Sequence, residues 1–174
     1  MTLHYSGEIL IHKIPMGEYG NNGYLIVSPN TRESIVIDTP GEPEKLIAVA
    51  RDTIVRAILI THTHFDHLVG FDVIRSALGA SVGVHSTEGQ NLSSPADFHI
   101  EDGYTLNVGM INLQAIHTPG HTSGSMCFLV GKHLFSGDTL FPGGPGHTKT
   151  SENLLQSISS ISGKLLVLPE GTVV

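Results

Sequence analysis

Residues 61 to 67 read Thr61-His62-Thr63-His64-Phe65-Asp66-His67, directly after the apolar run Ala57-Ile58-Leu59-Ile60. In an extended segment alternate side chains point the same way, so His62 and His64 converge on one ion while Asp66 and His67 face elsewhere. The stretch therefore reads as half of a metal site, with a second metal possible beside the first. It constrains the fold, because ligands at the end of a strand sit on a loop that a rigid sheet must hold in place.

The rest of the chain supplies such a scaffold. Short runs rich in β-branched residues predict strands at Ile9 to Ile14, Tyr24 to Val27, Ser34 to Ile37, Ala57 to Ile60, Ser81 to Val84, Tyr104 to Val108, Ile111 to Ile116, Met126 to Val130 and Lys132 to Phe135. Gly131 between the last two predicts a tight hairpin. Helices are expected at Glu42 to Arg51, at Leu68 to Leu78 with Gly79 as a stop, and at Glu152 to Ile161 with Ser151 as N-cap. The mixture predicts an α/β domain in layers, two sheets in contact with helices outside. A length of 174 residues fits a single domain, residues 1–174.

The pattern of strand followed by ligand occurs three times. Ile58-Leu59-Ile60 leads to His62, Leu113 to Ile116 leads to Thr118-Pro119-Gly120-His121, and Leu134-Phe135 leads to Ser136-Gly137-Asp138. His121 and Asp138 are thus the expected completions of the first cluster. Gly120 and Gly137 are expected to let the backbone turn sharply and approach the metal. Asp38, at another strand end, is read either as a brace for a ligating histidine or as a turn residue. His85 is placed at the cleft, Asn21-Asn22-Gly23 at its rim, and His4, His12, His99, His117 and His133 receive no role.

Composition narrows the partners. Nine Lys and Arg against a formal net charge of -7 argue against nucleic acid or an anionic membrane surface. No apolar segment approaches a membrane span and no leader pattern precedes residue 10, so a cytoplasmic location is expected. Cys127, the single cysteine, sits in an apolar run as a buried thiol.

Taken together, Thr61 to His67, Thr118-Pro119-Gly120-His121-Thr122 and Ser136-Gly137-Asp138-Thr139-Leu140-Phe141 resemble the metallo-β-lactamase superfamily, and within it the glyoxalase II-like hydrolases. The resemblance implies an αββα sandwich. It places His62, His64 and His121 on one metal, Asp66 and His67 on a second, and Asp138 between the two. The family's further histidine, in a Pro-Gly-His-Gly turn, has no counterpart before Val174, so the last strand and helix of the fold are also expected to be missing. Glu170 is read as a turn residue rather than a substitute ligand.

Implied cofactors are one or two Zn2+ ions, with iron or manganese as alternatives. Implied chemistry is attack by a metal-bound hydroxide on a thioester, ester or lactone, a small-molecule acyl substrate, with Asp66 as ligand and general base. Metal binding lowers the pKa of water from about 15.7 to about 7, which makes such attack possible at neutral pH. The Lys and Tyr that hold glutathione in true glyoxalase II enzymes are replaced here by Phe141 to Lys149, which leaves the acyl donor open. Two other readings stand beside the hydrolase. One is a persulfide dioxygenase with one iron on His62, His121 and Asp138. The other is a metal-binding scaffold without catalysis.

Overall fold

A computed structural model describes residues 2–174. Strands β1 (Thr2–Ser6), β2 (Leu10–Met16), β3 (Asn21–Val27) and β4 (Glu33–Ile37) form an antiparallel meander. Helix α1 (Pro43–Ala50) then crosses to β5 (Ile54–Leu59), which pairs parallel to β4. Helices α2 (Phe65–Leu68) and α3 (Phe71–Leu78) lead to β6 (Ser81–Val84), and β7 (Phe98–His99) completes a seven-stranded sheet in sequential order. The second sheet has four strands, β8 (Thr105–Val108), β9 (Ile111–His117), β10 (Met126–Val130) and β11 (His133–Phe135), all antiparallel. A ribbon of β12 (Leu140–Phe141) and β13 (Gly144–Pro145) precedes α4 (Ser151–Ser160).

Two-residue periodicity sorts the side chains into layers. On β5, Ala57 and Leu59 point into a core shared with Leu113, Ala115 and Phe128 of the second sheet. Ile58 and the following Ile60 point the other way, against Leu46 of α1 and Phe71 and Ile74 of α3. Each such fully buried aliphatic side chain contributes about 1.5–3 kcal/mol relative to an exposed one. Beyond the second sheet, Ile116, Cys127 and Leu134 pack under Ile161 and Leu165, which follow α4. The order is helix, sheet, sheet, helix: the expected αββα sandwich.

All nine expected strands are present, the Gly131 hairpin included, with Gly131 at φ 58. Two local expectations need correction. The helix expected from Leu68 to Leu78 is two helices, because the Thr39-Pro40 loop crosses between them. Thr39 N donates to the His67 carbonyl, Gly70 N donates to the Thr39 carbonyl, and a Cβ on Gly70 would collide with the Pro40 oxygen. The N-cap of α4 is Thr150 rather than Ser151: its Oγ1 accepts from Asn153 N at 3.2 Å. Strands β1, β7, β12 and β13 were not anticipated. Near the end of the chain, Val173 bridges in parallel to His133 on the outer edge of β11, after a turn at Glu170 in which Thr172 N donates to the Pro169 carbonyl.

Candidate metal centre

The parallel strands β4, β5 and β6 all end along one edge, and loops after β9 and β11 reach the same place. Asp38 follows β4, Thr61 and His62 follow β5, and Glu88 lies in the loop after β6. His121 follows β9, and Asp138 follows β11. The side chains there form two groups of potential ligand atoms, each within 4.8 Å of one another. His62, His64 and His121 make the first; His62, His67 and Asp138 make the second. Asp66 belongs to neither. Its Oδ2 accepts from Asn21 Nδ2 at 2.8 Å, which holds the carboxylate at the rim of the centre.

Hydrogen bonds on the far side of each ring decide which nitrogen faces inward. Thr61 Oγ1 donates to Asp38 Oδ2 at 2.7 Å, so it can only accept from His62 Nδ1, 3.1 Å away. That leaves the lone pair of His62 on Nε2. His121 Nδ1 stands 2.6 Å from the carbonyl of His147 and must donate to it, which turns its Nε2 inward as well. His67 Nδ1 donates to Asp38 Oδ2 at 2.9 Å, and its buried Nε2 has no hydrogen-bond partner. These contacts orient ligand histidines as outer carboxylates and carbonyls do in metal sites.

The inward atoms crowd one another. His121 Nε2 is 3.2 Å from His62 Nε2 and 2.8 Å from His64 Nδ1. Lone pairs at such distances repel unless a proton or a cation lies between them. Asp138 presents one oxygen to each group: Oδ1 is 3.3 Å from His67 Nε2 and Oδ2 is 3.5 Å from His121 Nε2. An orphaned buried nitrogen, converging imidazoles and a carboxylate between them fit one or two divalent ions with N and O preference.

Charge follows the same logic. Burial, with the charged His67 beside it, pushes His62 down to about 2, so its ring is neutral and ready to ligate. His64 is lowered mainly by burial. Burial also opposes a charge on His67, but the nearby carboxylates of Asp38 and Asp138 and the bond to Asp38 outweigh it and raise the group to about 10. Asp138 is held low despite burial, chiefly by the charged His67 ring beside it. In the metal-free protein a proton on His67 thus takes the part of a cation between two carboxylates.

A pH prediction follows from that raised value. A folded-state pKa above the unfolded value gives stability fully present below about pH 6.5 and lost as pH rises through about 10. Urea denaturation of chelator-treated protein is expected to show a falling midpoint from pH 7 to pH 10.5, and His67→Gln to flatten that slope. An unchanged slope in the variant would remove His67 as its source.

Glu88 was not singled out from the sequence, yet it joins the two ligand loops. It is buried, accepts from Thr63 N and Thr63 Oγ1 between His62 and His64, and accepts from Gly124 N at 3.1 Å beyond His121. Burial alone would raise this carboxyl, but the bonds from Thr63, Thr122 and Gly124 lower it. Its only signal in the sequence is a lone acid after the third parallel strand. Glu88→Gln is expected to weaken metal affinity by about 10–100-fold, the usual cost of losing an outer partner of a ligand, read by competition with a chromogenic chelator. Affinity within twofold of the parent would mean that the loops hold their positions without it.

Other expectations resolve as follows. Asp38 is the brace for His67, at φ 58, rather than a plain turn residue. His85 is outside both groups: its ring stacks on His117 at 4.2 Å and its Nε2 faces Glu101 at 3.2 Å. Gly120 and Gly137 turn the chain at φ 146 and 49, but their close approaches are to Ser157 of α4 and to Thr61, not to the metal-facing atoms. Around Gly120, Asn153 Nδ2 donates to its carbonyl at 3.2 Å and Ser160 Oγ to that of Pro119 at 2.8 Å. Cys127 is buried with its thiol pushed up to about 11 by desolvation. Among the described residues no helix is long and apolar enough to cross a membrane.

A sandwich of this topology with histidines and aspartates at its strand ends defines a class of metalloproteins, and the comparisons agree. The metallo-beta-lactamase superfamily profile matches residues 16–174, and the chain belongs to that superfamily. It is 33% identical over 184 residues to the "Probable metallo-hydrolase YqgX" of Bacillus subtilis, covering 93% of this chain and 86% of the relative. It is 30% identical over 162 residues to a "Probable polyketide biosynthesis zinc-dependent hydrolase" of Bacillus velezensis, covering 84% and 69%. A hydroxyacylglutathione hydrolase of a Polaromonas species is 32% identical over 173 residues, covering 95% of this chain but 65% of that longer protein. Among solved structures, the BLEG-1 B3 metallo-beta-lactamase superposes with a TM-score of 0.86 at 30% identity, covering 93% and 88%.

Proposed function

We propose that this protein is a metal-dependent hydrolase of a thioester, ester or lactone, with zinc at His62, His64 and His121 and a second ion at His67 and Asp138. The observation that carries the reading is Asp138, which turns one oxygen toward each histidine group. Zinc bound there supplies an acidified water and polarises a carbonyl. The chain's own residues do the rest. Asp38, Thr61 and the His147 carbonyl fix the ring orientations. Asp66, pinned by Asn21 and facing the cleft, is the proton acceptor from the attacking water. The relatives named as zinc-dependent and hydroxyacylglutathione hydrolases support acyl transfer to water and include S-lactoylglutathione among the substrates to assay.

The test is metal analysis of the purified protein together with an acyl panel, before and after chelation. Activity that disappears on chelation and returns with zinc is expected; fully metal-loaded protein inert toward the whole panel would sink the proposal. A second reading, sulfur oxygenation on a single iron, draws on the same His62, His121 and Asp138, with Asp138 Oδ2 3.5 Å from His121 Nε2. Iron in the isolated protein with thiol-dependent oxygen uptake would select it.

A further inference from the structure

Beside the metal-facing residues lies a groove of about 550 Å³, between the β2–β3 turn, the Gly41-Glu42 turn and α2. Its volume falls in the range of roughly 300–1,000 Å³ that suits small ligands. Phe65 and Tyr19 stand over it, 70% and 66% exposed, their rings edge to face with centroids 6.3 Å apart. Val69, half exposed, and Met16 continue the apolar lining. Single exposed apolar residues are ordinary on a surface, but a contiguous patch flanking a concavity marks a contact.

Two observations say what the groove takes. First, it lies beside the metal centre. Asp66 lines it, and Tyr19 also lines the adjoining cavity of about 230 Å³ that holds His67 and Asp138. A ligand whose reactive carbon sits at the histidines can therefore lay a chain past Asp66 and under the two rings. Second, the charges along it are Glu18, Glu42 and Asp66, with no Lys, Arg or His among the described lining residues. Glu42 is already engaged, by Gly17 N at 2.8 Å and Lys45 Nζ at 2.7 Å. Carboxylates on a ligand would meet like charge there, whereas a hydrocarbon would not.

We infer that this groove receives the acyl arm of the substrate and that the arm is an uncharged apolar chain, not a carboxylate-bearing peptide. The inference rests on the hydrolase reading above. Each fully buried methylene is worth about fourfold, so half-burial of the extra six carbons of an octanoyl group predicts a preference over acetyl on the order of fiftyfold.

The experiment compares kcat/KM for acetyl- and octanoyl-N-acetylcysteamine and for S-lactoylglutathione on zinc-loaded protein, in the parent and in Val69→Glu. In parallel, octanoate binding to the metal-free protein is followed by NMR. Expected are a preference for octanoyl over both other substrates, a fall of the octanoyl-to-acetyl ratio by about tenfold or more in Val69→Glu, and octanoate binding that the variant weakens. Hydrolysis with no chain-length preference, a ratio unmoved by the variant, or S-lactoylglutathione as the best substrate would overturn the inference and leave the hydrolase reading standing. If no acyl substrate is cleaved, the hydrolase reading falls. Octanoate binding that Val69→Glu weakens then still supports an apolar-chain groove, and absence of binding overturns it.

Discussion

His62→Ala is expected to strip the ion held with His64 and His121 and to lower hydrolysis by at least about a thousandfold. His62 is the one residue common to the two ligand groups, and it is buried with its Nε2 3.2 Å from His121 Nε2. Its single inward lone pair, on Nε2, can serve one ion only, so the loss falls on the ion held with His64 and His121. Water that is no longer acidified from about 15.7 toward 7 is a far poorer nucleophile at neutral pH. Metal content by elemental analysis and kcat/KM on the best acyl substrate check this. His85→Ala is the control, because His85 is as buried but stacks on His117 outside both groups. Zinc retained at parental stoichiometry in His62→Ala would refute His62 as a ligand.

Asp38→Ala carries the largest expected effect on stability. Asp38 is 2% exposed and accepts from Thr61 N at 2.8 Å, Thr61 Oγ1 at 2.7 Å and His67 Nδ1 at 2.9 Å. Without it, two donors of Thr61 lose their acceptor and the charge on His67 loses one of its two carboxylates. Breaking a buried charged pair costs about 3–5 kcal/mol. At about 2–4 °C per kcal/mol for a chain of this size, Tm should fall by roughly 10 °C or more. Asp38→Asn keeps one acceptor and should fall between parent and alanine. Thermal unfolding with zinc and with chelator separates the effects, since His67 lies in only one of the two ligand groups. A Tm within 2 °C of the parent on chelation would show that Asp38 is not the anchor described.

Most of the candidate ligands were legible because they follow apolar strands. Ile58 to Ile60 before His62, and Leu113 to Ile116 before His121, announce themselves locally. What supports the ligands was not legible in the same way. Glu88 reaches Thr63 across 25 residues, Asn21 reaches Asp66 across 45, and the His147 carbonyl reaches His121 across 26. No local pattern marks such partners, since only the folded sheet edge brings them together. Asp38 is visible as a strand-end acid, but only its bond to His67, 29 residues on, distinguishes a brace from a turn residue. The break at Gly70 was hidden for a similar reason: its cause is the Pro40 carbonyl, thirty residues earlier. Strand β1 escaped because Thr2-Leu3-His4-Tyr5-Ser6 is polar and mostly lacks β-branched residues.

The seat of α4 on the His121 loop has a dynamic consequence. Gly120 lies flush against Ser157, and Asn153 and Ser160 hold the carbonyls on either side of it. The helix cannot lift without loosening the loop that carries His121, so opening of α4 and departure of an ion from the first histidine group belong to one cooperative unit. Amide hydrogens of α4 should accordingly exchange more slowly once the histidines are ligated. A helix that touches no reacting atom would then serve as the gauge of occupancy at the histidine cluster.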